Sequence, residues 1–350
     1  MTSTISTPTE TSQEAAAADP KVLFDIGVAT WSSSILRVFC SLGVPERLAD
    51  GPKTSEQLAE ECGANASLMF RFLRSATMTG VCAQTEGTTF ELTALGQYCR
   101  DDHPRSLNGF LLLVASPEYL KCWSHLEHVV KTGETAIMPA LGIESYFDLF
   151  KIQPSHTKIF AKGMKGFMTA PSAIAKSSAF AGLTKFYDIG AGPGELTTEL
   201  LRMHPSMQGV TCDLPVVVAT VEIPEDLKDR CTSQVWNFLT GDFNAISGGD
   251  GYILKHIIHN WDDESCVKIL SKIAQAMLPG GKVFVIESGP VPPDNTPHFS
   301  KIMDMNMAVL TGAKERTTEE HSSLFGQAGL KLEDVEILDE ALCVLTAVKQ

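Results

Sequence analysis

The chain has 350 residues, enough for about two domains, and its 44% hydrophobic and 20% charged residues are ordinary proportions for a globular protein. Twenty-eight Lys and Arg against 42 Asp and Glu leave a formal charge of −14. That balance argues against bulk association with nucleic acid or an anionic membrane, which both reward basic surfaces, and leaves room for a small cationic ligand.

Residues 1–19 are rich in Thr, Ser and Ala with little to bury, which predicts a disordered tail. From 20 to 105 the pattern is helical. Val28, Ile35, Leu36, Phe39 and Leu42 recur at three- and four-residue steps, and Gly43 and Pro45 close that helix. TSEQLAEECG opens on Thr54 and Ser55 as capping candidates and ends at Gly63; ASLMFRFLRSATMTG forms a second helix ending at Gly80. VCAQTEGTTFELT then alternates around Gly87, as a β-hairpin does. Two helices and a hairpin make a winged helix. Its cations, Lys53, Arg71, Arg74 and Arg100, are outnumbered by Glu56, Glu60, Glu61, Glu86 and Glu91, too few to neutralise several phosphates. A dimer-forming or lid-forming role is therefore expected in place of DNA binding.

Residues 106–180 read as helices punctuated by Phe110, Tyr119, Trp123, Tyr146, Phe147 and Phe150. Phe160, Met164, Phe167 and Met168 fall on one helical face, as core packing or as the wall of an apolar pocket. From 181 to 350 short apolar strands alternate with helices, which predicts an α/β domain with a largely parallel, doubly wound, Rossmann-like sheet and ligands at the carboxyl ends of its strands. No uninterrupted apolar run reaches about 18 residues, so no membrane span is expected, and the N-terminus lacks the order of a secretory signal. Nine scattered cysteines without a CxxC pair give no zinc or redox motif and fit a reduced, cytoplasmic protein.

The strand KFYDIG runs into Gly190-Ala191-Gly192-Pro193-Gly194-Glu195, where alternate glycines let backbone approach a ligand. A dinucleotide loop GxGxxG would need its third glycine at 195; Glu195 there opposes a pyrophosphate at the helix start, so the loop suits a nucleoside without phosphates. Asp213 ends the next strand, at the distance from Gly190 where an acid takes a ribose hydroxyl pair. In GDFN, Asp242 could accept from an adenine amino group and Phe243 could pack on the base.

YDIGAGPGE, CDLP, GDF, LKHIIHNWDDESC, GGKVFVIESG and GAKERTTEEHSSLFGQAGL stand in the order found in small-molecule O-methyltransferases dependent on S-adenosylmethionine. The chain resembles the caffeic-acid, hydroxyindole and microbial polyketide type over roughly residues 25–350. The resemblance implies methyl transfer from S-adenosylmethionine to an aromatic or enolic hydroxyl of a small metabolite, and a homodimer, with no metal. It implies Gly190, Gly192, Asp213, Leu214, Asp242, Phe243, Lys255 and Trp261 as cofactor contacts. It gives His259 as general base flanked by Glu287 and Glu315, and Met164, Phe167, Met168, Asn260, Met303, Asn306 and Met307 as the acceptor pocket, where the methionines suit core packing equally. The chemistry fits: at the ordinary histidine pKa near 6.5, about three-quarters of His259 would be free base at pH 7, ready to take a hydroxyl proton. His204, His256 and His298 read as structural. Asn260 departs from the family's Asp, which leaves open relatives that keep the cofactor pocket but run a pericyclic, dehydrative or hydroxylation step; a non-catalytic winged-helix binding protein is the further alternative.

Overall fold

A computed structural model of the chain describes residues 19–166, 171–339 and 342–349. Nearly all of the expected tail at 1–19, and the candidates Phe167 and Met168, lie outside the described residues. Two compact units divide between His103 and Pro104.

The N-terminal unit begins with helix α1 (Lys21–Ser41). Gly43, at φ +62°, turns the chain into α2 (Val44–Ala49), so Pro45 starts a new helix where the sequence suggested only an end. Strand β1 (Lys53–Thr54) leads into α3 (Ser55–Cys62), opened by a capping box between Thr54 and Gln57. Helix α4 (Ala66–Ala76) starts on the Asn65 side chain, and β2 (Cys82–Gln84) and β3 (Thr89–Leu92) form the hairpin, with β1 pairing antiparallel on β3. This is the expected winged helix. Its core is Phe39, Leu48, Leu58, Leu73 and Phe90. Helix α1 is long and apolar enough by length and composition to pass for a membrane span, a test that a helix of a soluble protein also passes, because Ser, Thr and Gly break its apolar run without adding charge. Its first half exposes Leu23, Phe24, Ile26 and Trp31.

The second unit starts with short helices: α5 (Asn108–Val114), α6 (Pro117–Trp123), α7 (Leu126–Thr132), α8 (Ile137–Leu141), α9 (Leu149–Ile152), α10 (Pro154–Gly166) and α11 (Pro171–Ile174). Gly109 and Gly163 let α5 and α10 cross closely: a Cβ on Gly109 would stand 2.4 Å from the Lys162 carbonyl carbon. Then come β4 (Lys185–Ile189), α12 (Glu195–Met203), β5 (Gln208–Asp213), α13 (Pro215–Val218), β6 (Cys231–Val235), β7 (Gly251–Lys255), α14 (Asp263–Ala276), β8 (Lys282–Glu287), α15 (Phe299–Leu310), α16 (Thr318–Gln327), β9 (Leu330–Asp339) and β10 (Leu342–Lys349). The seven-stranded sheet has the order β6-β5-β4-β7-β8-β10-β9. Strands β4 to β8 are parallel, and β10 runs antiparallel between β8 and β9.

Strand alternation divides the core between the sheet faces. Tyr187, Tyr252, Leu254, Val283 and Val285 pack with Ile269, Ile273 and Phe325 of α14 and α16. Phe186, Ile253, Phe284 and Ile286 pack with Leu200 and Leu201 of α12 and with Phe180. Because five neighbouring strands run the same way, their carboxyl ends share one edge of the sheet. Gly190, Asp213, Lys255 and Glu287 are brought to that edge by register alone.

Candidate active site

The glycine loop leaves β4 with Gly190 at φ +69° and Gly192 at φ +57°, in the left-handed region that side chains avoid. A Cβ on Gly190 would meet Ile257 Cδ1 at 2.3 Å, so the loop passes directly against the turn that follows β7. Gly194 caps α12 and Glu195 opens it. Asp213 holds this loop: it accepts from Gly192 N–H at 2.9 Å and from Leu214 N–H at 2.7 Å. Burial raises its pKa against those two bonds. Leu214 and Met164 are exposed. Asp242 caps a turn by accepting from the Asn244 N–H and side-chain amide, while Phe243 packs on the α14 side of the sheet and Trp261 lies edge-on to Phe238 at 5.7 Å.

Two charged groups here went unassigned in the sequence or were assigned without their partners. Asp188, wholly buried in β4, accepts from the Thr197 hydroxyl at 2.7 Å, and burial raises its pKa to about 6. A lone acid inside an apolar strand was a readable signal. Burial lowers the pKa of Lys255, and Asp188, Glu287 and Glu195 oppose that shift. The acids outnumber this cation, so the edge of the sheet favours a cationic ligand.

The expected strand GYILKHII is shorter than the sequence suggested. Strand β7 stops at Lys255 because His256 takes φ +53°, a left-handed conformation uncommon for a non-glycine residue, and His259 lies in a 3-10 turn over Ile258–Asn260. Two devices hold this turn. The Asn260 amide donates to the His256 carbonyl at 3.0 Å. Arg316, 1% exposed, donates to the Ile258 and Trp261 carbonyls at 3.2 and 2.9 Å and to Asp263 Oδ1 at 2.8 and 3.0 Å. Asn260, expected in the acceptor pocket, thus has its N–H group turned to backbone; a carboxylate in the same place would face that carbonyl oxygen with no proton to donate.

The turn carries His259 between two buried carboxylates. Its Nδ1 lies 2.8 Å from Glu315 Oε1 and 3.2 Å from Glu287 Oε2, and its backbone N–H donates to Glu287 Oε1 at 3.3 Å. Ionised carboxylates only accept, so a proton on Nδ1 is directed at them. Asp304 of α15 accepts from the Glu315 N–H at 3.0 Å and so ties the acid to the helix of Met303, Asn306 and Met307, all three buried. His256, read from sequence as structural, has Nδ1 3.6 Å from Glu287 Oε2 and its ring 5.3 Å from that of His259. These two histidines and Glu287 are spaced as a metal cluster could be. Of the His259 ring nitrogens, Nδ1 is already engaged by Glu315.

Burial alone would lower the pKa of His259, but Glu287 and Glu315 together outweigh it and raise the value to about 9. The expectation of a largely free base at pH 7 is thereby corrected: two carboxylates hold the proton on.

The strand order, the glycine loop without a phosphate cradle and the acid-rich edge define a methyltransferase of the class dependent on S-adenosylmethionine. Comparison with known proteins agrees. Residues 123–331 match the model of the O-methyltransferase domain, and residues 26–101 that of the O-methyltransferase dimerisation domain. The chain is 32% identical to phenazine O-methyltransferase PhzM of Lysobacter antibioticus, covering 97% of this chain and 99% of that protein. It is 31% identical to the mitomycin biosynthesis 6-O-methyltransferase of Streptomyces lavendulae, over 93% of each. The solved structure of CalO1, a methyltransferase in calicheamicin biosynthesis in its S-adenosylhomocysteine-bound form, matches with TM-score 0.81 and 28% identity, over 94% and 98% of the two chains. The chain belongs to the O-methyltransferase family and is an enzyme of it that uses S-adenosylmethionine. The reading as a non-catalytic winged-helix protein is set aside by these matches.

A pKa raised in the fold means that the native state binds the proton more tightly than the unfolded chain. The resulting stability, roughly 3 kcal/mol, is complete below about pH 6.5 and is lost as the pH rises towards 9. Urea unfolding across this range should show the decline in the native protein and not in His259→Gln; equal profiles would contradict the paired imidazolium.

Proposed function

We propose that the enzyme methylates a phenolic or enolic hydroxyl of a small secondary metabolite, with His259 as general base oriented by Glu287 and Glu315. The observation that carries this reading is the placement of His259 Nδ1 on both carboxylates, which leaves one ring nitrogen to accept a proton. S-adenosylmethionine supplies an activated methyl group on a sulfonium, so the protein's part is to align the hydroxyl and remove its proton. The hydroxyl proton passes to His259 Nε2 as the oxygen takes the methyl carbon. The carbon–sulfur pair returns to sulfur, and S-adenosylhomocysteine leaves neutral. The imidazolium that forms lies against carboxylate charge. Relatives named for phenazine and mitomycin substrates support a flat, aromatic acceptor, for which Met164, Met303 and Met307 would supply adaptable apolar walls.

The adenosyl group is assigned to Gly190, Gly192, Asp213, Leu214, Asp242, Phe243 and Trp261, with Lys255 towards its charged end. The same reading makes the active form a homodimer: the exposed apolar start of α1 and a groove of about 490 Å³ lined by Ile35, Val38, Leu68 and Phe72 are faces a second copy would cover. The nine cysteines form no disulfide, which supports a reducing, cytoplasmic setting.

Four measurements test these assignments. His259→Ala should lower turnover by about 10²–10⁴ with little change in cofactor affinity, and native activity at limiting acceptor should climb with pH towards about 9; near-normal turnover of the variant would falsify the base, and product formed without consumption of the methyl donor would favour a pericyclic or dehydrative step. Asp213→Ala should weaken S-adenosylhomocysteine binding by about 1–3 kcal/mol in calorimetry, and unchanged affinity would remove it from the cofactor site. Light scattering should give a dimer at micromolar concentration; an active monomer would count against the interface.

A further inference from the structure

Outside the base and its carboxylates, the side-chain amide of Asn306 is buried and held by two aromatic side chains. Its Oδ1 lies 2.5 Å from the Tyr119 hydroxyl and 3.2 Å from Trp123 Nε1. An indole N–H can only donate, so the amide atom facing it must be oxygen, and the Tyr119 hydroxyl must donate to that oxygen as well. Burial raises the pKa of Tyr119, which keeps its proton in place. The amide orientation follows: its NH2 group is turned away from both rings. One N–H contact goes to the Met303 sulfur at 3.6 Å, a weak acceptor, and among the described residues the nitrogen has no other partner. Asn306 is 8% exposed. A buried amide nitrogen served only by a thioether is a donor held for something else.

We propose that Asn306 reads the acceptor by donating to it, so that substrates carry, besides the hydroxyl to be methylated, a carbonyl, quinone oxygen or ring nitrogen with a free lone pair, and that Tyr119 and Trp123 are the positioning residues that set the amide's polarity. This rests on the acceptor site of the proposed function and narrows it from any phenol or enol to those bearing a second, accepting heteroatom. The signal was partly present in the sequence: Asn306 stood out there, but its partners come from α6, more than 180 residues earlier.

The full-length enzyme with saturating S-adenosylmethionine is given matched pairs, hydroxyacridines against hydroxyanthracenes and hydroxynaphthoquinones against naphthols, at several ring positions. The heteroatom-bearing member of a pair should be favoured in kcat/KM by about 10-fold or more, because its absence leaves the amide unpaired. Asn306→Asp puts an acceptor where the NH2 stood, and the preference should fall to within about threefold. The double variant Tyr119→Phe, Trp123→Phe frees the amide to rotate and should lower the preference in the same direction. S-adenosylhomocysteine affinity, measured in each variant, should stay unchanged and so report a folded enzyme. Equal kcat/KM across the pairs in the native enzyme, or a preference that survives Asn306→Asp, overturns the inference and leaves the proposed function standing. Methylation of no hydroxyarene, with cofactor still bound, overturns both.

Discussion

Two carboxylates share one imidazole in the interior of this protein, and much of the second unit is arranged to make that tolerable. Buried anions without a partner are costly by several kcal/mol each. Glu287 reaches the imidazole as the last residue of a central strand, Glu315 from the segment before α16, and His259 from a turn between β7 and α14. Three separate elements must therefore meet to within hydrogen-bond distance. Arg316, next to Glu315, clamps the carbonyls on either side of His259. One short segment thus provides both an anion for the imidazole and a cation for the turn that carries it.

In the proposed reaction the same arrangement would decide how His259 works as a base. Taking a proton from a phenol of pKa about 10 costs roughly 5 kcal/mol for an imidazole of pKa 6.5, and roughly 1 kcal/mol for one at about 9. Against that, only about one molecule in a hundred is neutral at pH 7 with the higher value, worth roughly 3 kcal/mol. The two sums nearly agree. On that proposal the carboxylates would not lower the total demand of proton removal at neutral pH so much as redistribute it: they would raise the pH at which the enzyme works best and hold the imidazolium once formed.

Much of this was legible in the sequence. The alternating strands and helices, the winged helix and the order of the motifs all carried local signals: β-branched runs, capping residues, glycines at turns. Asp213 and Glu287 could be placed because a residue ending a parallel strand has only one edge to go to. What could not be read were features that depend on backbone detail or on distant partners. The left-handed His256 shortened the strand and put His259 in a turn, and nothing in its side chain announces such a φ. The turning of Asn260 towards backbone followed from that. The raised pKa of His259 needed the distances to two acids 28 and 56 residues away. Arg316, unassigned in the sequence, is among the most buried side chains.

The turn from His256 to Trp261 is fastened at each end, by the His256 N–H on the Ile286 carbonyl and by Arg316 on residues 258 and 261. An inserted or deleted residue between those anchors would break one of them, so the length of this segment admits no variation. The short helices α5 to α11 are fastened differently, by side-chain bonds from Tyr119 and Trp123 to Asn306 of α15 and by the close crossing of α5 and α10, while the turns between them carry fewer such anchors. Under the proposed acceptor site, a change of acceptor would be taken up by side chains along that helical wall, whose backbone need not move, more readily than by the length of the turn that carries His259.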